Sequence, residues 1–198
     1  MHKITQNLEI SMESFENYFQ YLKRRSYLGR LYRNFIAYPK LSKKLNGLTL
    51  DVGCGIGDLL AFRKNTIGTD INPLLIEFCR QNGNQVFQME PNKLPFMDGE
   101  FDSILLDNVL EHIEDPDLLL LEIKRVLRKG GHFIAGVPGS LGYQLDPDHK
   151  VFYDEISLRH LLMDYCFTPI TFFGTPFLSN VLSKRMPQYC VYGVFLNV

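Results

Sequence analysis

The stretch Leu48-Thr49-Leu50-Asp51-Val52-Gly53-Cys54-Gly55-Ile56-Gly57-Asp58 decides how the rest of the chain is read. Leu48 to Val52 is a short apolar strand buried on both faces, and glycines at alternate positions then turn the chain towards a helix beginning near Asp58. Glycine admits φ > 0 and lets a ligand approach the backbone with no Cβ in the way. Working outward, a helix over 58–64 leads to a second strand ending at Asp70, and a helix over 73–81 to a third strand over 86–89. A fourth strand covers 101–106, and the clearest helix runs over 115–127, with Asp115 as cap, Pro116 in the first turn and Gly130-Gly131 as stop. A fifth strand follows over 132–137. Serial strand–helix–strand units build a doubly wound, mostly parallel α/β sheet, whose ligands lie beyond the carboxyl ends of the strands.

Before this unit, apolar residues recur at helical spacing from Phe15 to Leu45, with Pro39 expected to interrupt them. Residues 1–46 are therefore read as an N-terminal helical lid or extension and 47–198 as one compact domain. Lys23, Arg24, Arg25, Arg30, Arg33, Lys40, Lys43 and Lys44 make the extension locally basic. The plain reading is a solvated helix face, the sharper one an anion-binding lid. After Phe167 the pattern gives a strand, a short helix around 177–186 and a last strand over 188–196. Phe177, Leu178, Val181 and Leu182 form an apolar stripe of the kind that usually enters a core.

The 198 residues have a net charge of −1, with 45% hydrophobic and 22% charged residues. That composition excludes disorder and low complexity, and offers no global field for nucleic acid or an anionic membrane. Cys54, Cys79, Cys166 and Cys190 show neither a Cys-x-x-Cys pair nor zinc-finger spacing, so reduced thiols and a cytoplasmic setting are expected. The residues from Met1 to Ser14 contain nothing like a signal-peptide core, and no apolar run approaches the roughly 20 residues of a membrane span.

Asp70, at the end of the second strand, is placed to accept hydrogen bonds from both hydroxyls of a ribose. A dinucleotide fingerprint, Gly-x-Gly-x-x-Gly, would need a third small residue where this chain has Asp58, and a carboxylate at a helix start repels a pyrophosphate. S-adenosylmethionine has no phosphate and carries a sulfonium and an ammonium, so charge favours it.

Further stations extend the pattern: Gly68-Thr69-Asp70-Ile71, Leu94-Pro95-Phe96, Asp98-Gly99-Glu100-Phe101-Asp102, Asn108-Val109-Leu110-Glu111-His112-Ile113 and Arg125-Val126-Leu127-Arg128-Lys129-Gly130-Gly131. With the glycine loop, these resemble the class I S-adenosylmethionine-dependent methyltransferases, methyltransferase type 11 or type 23 branch, from Leu48 to about Phe167. The resemblance implies a seven-stranded Rossmann-like sheet whose last strand runs antiparallel. It implies that Gly53 and Gly55 lie against the methionine part of the cofactor, that Asp51 orients its ammonium, and that Asp70 holds the ribose. It further implies that Glu90 faces the adenine amino group and that Asn108 lines the methionine side by its backbone. Cys54 and Ile71 fall among the cofactor-lining positions, although Cys54 taken alone is just a small loop residue. Pro91 lacks the N–H that relatives offer to the adenine ring.

Methyl transfer is an in-line displacement on an already activated carbon, so the protein has to align the reactants and exclude water. A hydroxyl acceptor must also lose a proton, and His112 and His149 are the candidate bases. Their plain reading is packed, hydrogen-bonded histidines. Asp146, Asp148 and His149 are metal ligands by type, but hard-cation geometry is not visible in the sequence and no metal is assigned. The expected partner is a small molecule such as a sugar, lipid or quinone-like compound, and the basic segment suits a phosphorylated one. Nucleic acid is not expected, while peripheral membrane contact and a homo-oligomer stay open. The alternatives are a non-catalytic cofactor-sensing or scaffold module and an NAD-dependent oxidoreductase.

Overall fold

The computed structural model describes residues 12–24 and 26–198. Most of the segment read for a signal peptide, and Arg25 of the basic run, lie outside these residues. Among the described residues no helix is long and apolar enough to cross a membrane.

The chain opens with helices α1 (Met12–Lys23) and α2 (Tyr27–Tyr32), a π-helical turn (Arg33–Ala37) and α3 (Tyr38–Ser42). Then follow β1 (Thr49–Val52), α4 (Asp58–Phe62), β2 (Thr66–Asp70), α5 (Pro73–Gln81), β3 (Val86–Gln88) and β4 (Phe101–Asp107). A 3-10 turn (Leu110–His112) leads to α6 (Asp117–Val126), β5 (Leu127–Pro138), α7 (Ser140–Leu145) and α8 (Glu155–Asp164). The chain ends with β6 (Phe167–Thr175), α9 (Asn180–Arg185) and β7 (Cys190–Asn197).

The seven strands form one sheet in the order β3-β2-β1-β4-β5-β7-β6, parallel from β3 to β5, with β7 antiparallel to both its neighbours. This is the Rossmann-like architecture expected from the sequence. Alternation along each strand divides the core. Ile104 and Leu106 of β4, Phe133, Ala135 and Val137 of β5 and Phe195 of β7 enter one cluster with Leu120 and Ile123 of α6 and Leu158 and Leu162 of α8. Leu105, Ile134, Tyr192 and Val194 point the other way, to Tyr38 and Leu41 of α3 and Leu59 of α4.

Three local differences from the sequence reading have physical causes. Pro39 does not interrupt the second helical stretch, because it occupies the first turn of α3 directly after the π turn, whose wider winding takes up the ring and the missing N–H. The long helix ends at Val126, one residue before the expected 127, and its stop is not the Gly130-Gly131 pair: Leu127 is buried in the core and pairs in the sheet with Phe101. Gly130, with φ +72°, turns the chain within β5. The stripe Phe177, Leu178 and Val181 is exposed, since short α9 turns a polar side chain inward, with Ser183 Oγ accepting from Ser140 N at 3.0 Å.

Candidate functional site

The carboxyl edge of the sheet carries the glycine loop. Gly53 N and Cys54 N both donate to Thr69 O, at 2.8 and 3.0 Å, which folds the loop back over β2. Gly53 has φ +75°, and a Cβ there would stand 2.6 Å from Val109 Cγ2, so glycine is required both by conformation and by space. Asp70 is clamped at the end of β2. Its Oδ2 accepts from Gly55 N at 3.0 Å and its Oδ1 from Asn72 N at 2.9 Å, leaving the remaining lone pairs for hydroxyl donors.

Burial raises the pKa of Asp70 while the N–H groups of Asn72 and Gly55 act against that rise. Asp51, buried beside it, lies well above the usual carboxylate range, through burial first and then through Asp107, Asp70 and Asp58. The Arg33 guanidinium pairs with Asp58 at 3.6 Å. Four carboxylates around one loop are a poor home for a pyrophosphate and a good one for a cationic ligand. The residues present therefore fit S-adenosylmethionine: a glycine cradle, a clamped carboxylate suited to ribose and a negative field for sulfonium and ammonium.

Helix α1 lies across this loop. Leu22 is buried and approaches within 3.3 Å of where a Cβ on Gly55 would stand. Asn72 Nδ2 donates to Phe15 O at 3.0 Å, and the Phe19 ring meets Phe78 edge-on at 5.6 Å.

The other cofactor positions are distributed unevenly. Asp51, Gly53, Gly55 and Asp70 come together, with Ile71 partly buried against the main core. The Cys54 side chain turns away into a small apolar cluster with Leu60, Ile76, Cys79 and Val86, so only its backbone belongs to the loop. Glu90 is exposed just after β3, its backbone bridged to Lys93, and Pro91 beside it is exposed too. Asn108 adopts φ +55° and turns its side chain into the fold: Nδ2 donates to Asp107 Oδ1 at 2.9 Å and Oδ1 accepts from Cys190 Sγ at 3.5 Å.

A second group of side chains gathers where β4 and β5 end. His112 and His149, 37 positions apart in sequence, have ring centroids 4.7 Å apart. Between their elements, Glu111 O accepts from Lys150 N at 2.7 Å and from Val151 N at 3.1 Å, which ties the loop after α7 to the 3-10 turn. Tyr143 stacks on His149 at 5.3 Å and 16° and meets Phe152 edge-on. Glu111 itself is 0% exposed, and burial pushes its carboxyl up to about 8, with Asp107 and Asp146 adding to the rise. Burial, then His149, lowers the pKa of His112. Sequence reasoning passed over Glu111 and Asp107 as functional groups. Glu111 lay within a quoted motif, but nothing in a sequence says that a glutamate will be wholly buried.

Residues 50–135 match the family model of a methyltransferase domain. A tRNA (carboxymethyluridine(34)-5-O)-methyltransferase of Xenopus tropicalis is 35% identical over 104 residues, 48% of this chain and 17% of that protein. A fatty-acid O-methyltransferase of Mycolicibacterium smegmatis is 35% identical over 95 residues, 43% of this chain and 35% of that protein. The chain spans roughly a third to somewhat over half of the length of the first curated relatives it matches. In fold, it superimposes on a SAM-dependent methyltransferase, possible histamine N-methyltransferase, of Thermotoga maritima with a TM-score of 0.74, at 20% identity, over 95% of this chain and 100% of that one. Residues 50–135, carried on this sheet, thus match the methyltransferase type 11 domain, and the chain has the fold of S-adenosylmethionine-dependent methyltransferases.

Proposed function

We propose that this protein transfers the methyl group of S-adenosylmethionine to a small-molecule acceptor that meets the cofactor beside Glu111, His112 and His149. When bound, the cofactor supplies a methyl carbon activated by its sulfonium. Asp70, clamped by Gly55 and Asn72, holds the ribose, while Gly53 and Gly55 give the methionine part an unobstructed backbone and Asp51 contributes charge. The segment 1–46 acts as the lid, with Leu22 of α1 over the loop excluding water from the reacting centre. Proton removal from a hydroxyl acceptor falls to the Glu111–His112–His149 cluster.

The observation that carries this reading is the pairing, on one sheet edge, of the clamped Asp70 with a separate polar cluster at the ends of β4 and β5. A small acceptor, here of the sugar, lipid or quinone-like kind, suits a chain of net charge −1 with an anionic loop better than a polyanion does. The relatives that act on tRNA and on fatty acids make the comparison of acceptors direct.

The experiment has two stages. Calorimetry with S-adenosylmethionine, S-adenosylhomocysteine and NADH is expected to give micromolar binding of the first two, lost in Asp70→Ala, and none of NADH. Acceptor pools of hydroxylated lipids, quinols, nucleotide sugars and bulk tRNA are then screened for S-adenosylhomocysteine production. Turnover with a small-molecule pool supports the proposal. Turnover with tRNA alone, or binding of NADH alone, overturns it, and cofactor binding with no turnover in any pool favours a sensing module.

A further inference from the structure

Glu111 poses a problem that methyl transfer by itself does not resolve. Both of its carboxylate oxygens are buried, and neither has a hydrogen-bond partner. A buried carboxylate without a partner is costly, and a protonated one would still leave its O–H unpaired. The nearest basic atom, His149 Nε2, lies 3.8 Å from Glu111 Oε1, beyond hydrogen-bond range, and is also 3.8 Å from Asp146 Oδ2. The groups lie close together with no hydrogen bond between them.

The histidines are each held by one ring nitrogen. His149 Nδ1 lies 2.9 Å from Tyr143 O and His112 Nδ1 lies 3.3 Å from Asp148 O. A carbonyl only accepts, so each Nδ1 carries the proton and each Nε2 presents its lone pair, the arrangement in which a second hydrogen bond fixes the tautomer and orientation of a metal-binding histidine. One ligand atom from each of Glu111, His112 and His149 lies within 4.8 Å of the others. Ligands around an ion with bonds of about 2.0–2.2 Å stand roughly 3–4 Å apart, so an ion draws these three together without having to open the site.

We propose that Glu111, His112 and His149 form a binding site for a divalent transition-metal ion of the zinc class, with Asp146 at its margin. Two imidazoles and one carboxylate make a donor set that suits zinc, iron or cobalt, whereas magnesium and calcium require mostly oxygen. Three protein ligands leave a position open at the carboxyl edge of the sheet. Its occupant, on the methyltransferase reading given above, is an oxygen of the acceptor, and with the ion in place the cluster acts on the hydroxyl proton by lowering its pKa so that the proton passes to solvent, rather than through a free imidazole; this assignment rests on that reading whereas metal binding does not. No sequence spacing announces the site, because Glu111 and His112 come from the turn after β4 and His149 from the loop after α7, and the backbone bonds to Lys150 and Val151 bring them together.

The test is to strip the purified protein with a chelator and titrate it with Co²⁺, following the visible d–d absorption, then to displace the ion with Zn²⁺ by calorimetry. The expected result is one ion per chain with no thiolate-to-cobalt charge-transfer band. His112→Ala and His149→Ala should each weaken binding by about 100-fold or more, since losing an outer-shell partner alone costs 10–100-fold. Circular dichroism and S-adenosylhomocysteine binding serve as controls for folding. Should an alanine variant fail to fold, Glu111→Gln keeps the shape and is expected to weaken binding at least tenfold. Absence of saturable binding, binding that survives all folded variants, or a thiolate band would overturn the site. Ion binding without S-adenosylhomocysteine binding would remove the cofactor reading and leave the metal site standing, and the converse would do the reverse.

Discussion

Asp70 and Gly53 carry the cofactor end of the site in different ways. Asp70→Ala removes a carboxylate whose two oxygens tie Gly55 and Asn72, so the expected effect includes a looser loop as well as loss of a ribose acceptor. Asp70→Asn separates the two by keeping the shape, and should retain more thermal stability than Asp70→Ala while still losing cofactor affinity. Gly53→Ala forces a side chain into φ +75° and against Val109, at a conformational cost of about 1–2 kcal/mol, and should lower both Tm and affinity. The pH behaviour follows from the raised Asp51 and Asp70. In the free protein these groups hold protons that the unfolded chain has already lost, so stability declines as pH rises from the ordinary carboxylate range through their raised values. A cationic ligand favours the ionised forms, so its affinity should increase as pH rises from the ordinary carboxylate range through the raised values, with proton release detectable as a buffer-dependent heat. A flat affinity profile would argue against ionised Asp51 and Asp70 as the source of the field.

At the level of elements, α1 and α8 show two ways in which a short helix is fixed. Helix α8 is held by a reciprocal box in which Asp154 Oδ1 accepts from Ser157 N at 2.8 Å and Ser157 Oγ accepts from Asp154 N at 2.9 Å. Asp154→Ala should cost about 1 kcal/mol in chemical denaturation. The hydrogen bonds from Ser157 hold the Asp154 carboxyl below its ordinary value, so its contribution is present above the unfolded-state pKa and fades as pH falls through the depressed one. Helix α1 docks by Leu22, Phe19 and the Phe15 carbonyl. If it closes the cofactor site, Leu22→Ala should raise the dissociation constant of S-adenosylhomocysteine with little loss of Tm; a loss of Tm with unchanged affinity would make α1 a structural brace instead. Helix α1 was legible as periodic apolar spacing. The docking of α1 was not, because the spacing gives a helix face but not the surface it meets.

Over the whole molecule, the final strand completes the sheet from its interior, inserted between β5 and β6. Phe195 sits in the main core against Phe172, and Asn197 Nδ2 donates to Leu127 O at 2.8 Å, joining the last strand to the end of α6. Phe195→Ala should therefore cost about 3–5 kcal/mol, far more than the helix-cap change, and appear as a cooperative loss of Tm for the whole domain. The cofactor loop and the histidine cluster stand at the same carboxyl edge of strands that this core holds in register, so the variant should weaken both sites together.

The sequence by itself determined the parallel sheet, the glycine turn after β1, the acid at the end of β2 and the choice of a sulfonium cofactor over a dinucleotide, because each depends on local properties: period, backbone freedom and the charge of neighbours in the chain. Tertiary structure alone decided that Cys54 turns into the core, that Glu90 stays exposed and that the stripe at Phe177 faces outward, since these depend on which surface each element finds. It alone decided, too, that Glu111 is buried without a partner between His112 and His149. Burial of a charge is a property of the assembled layers rather than of the residues beside it in the chain, and the meeting of two loops at one sheet edge is fixed only when every strand is in place.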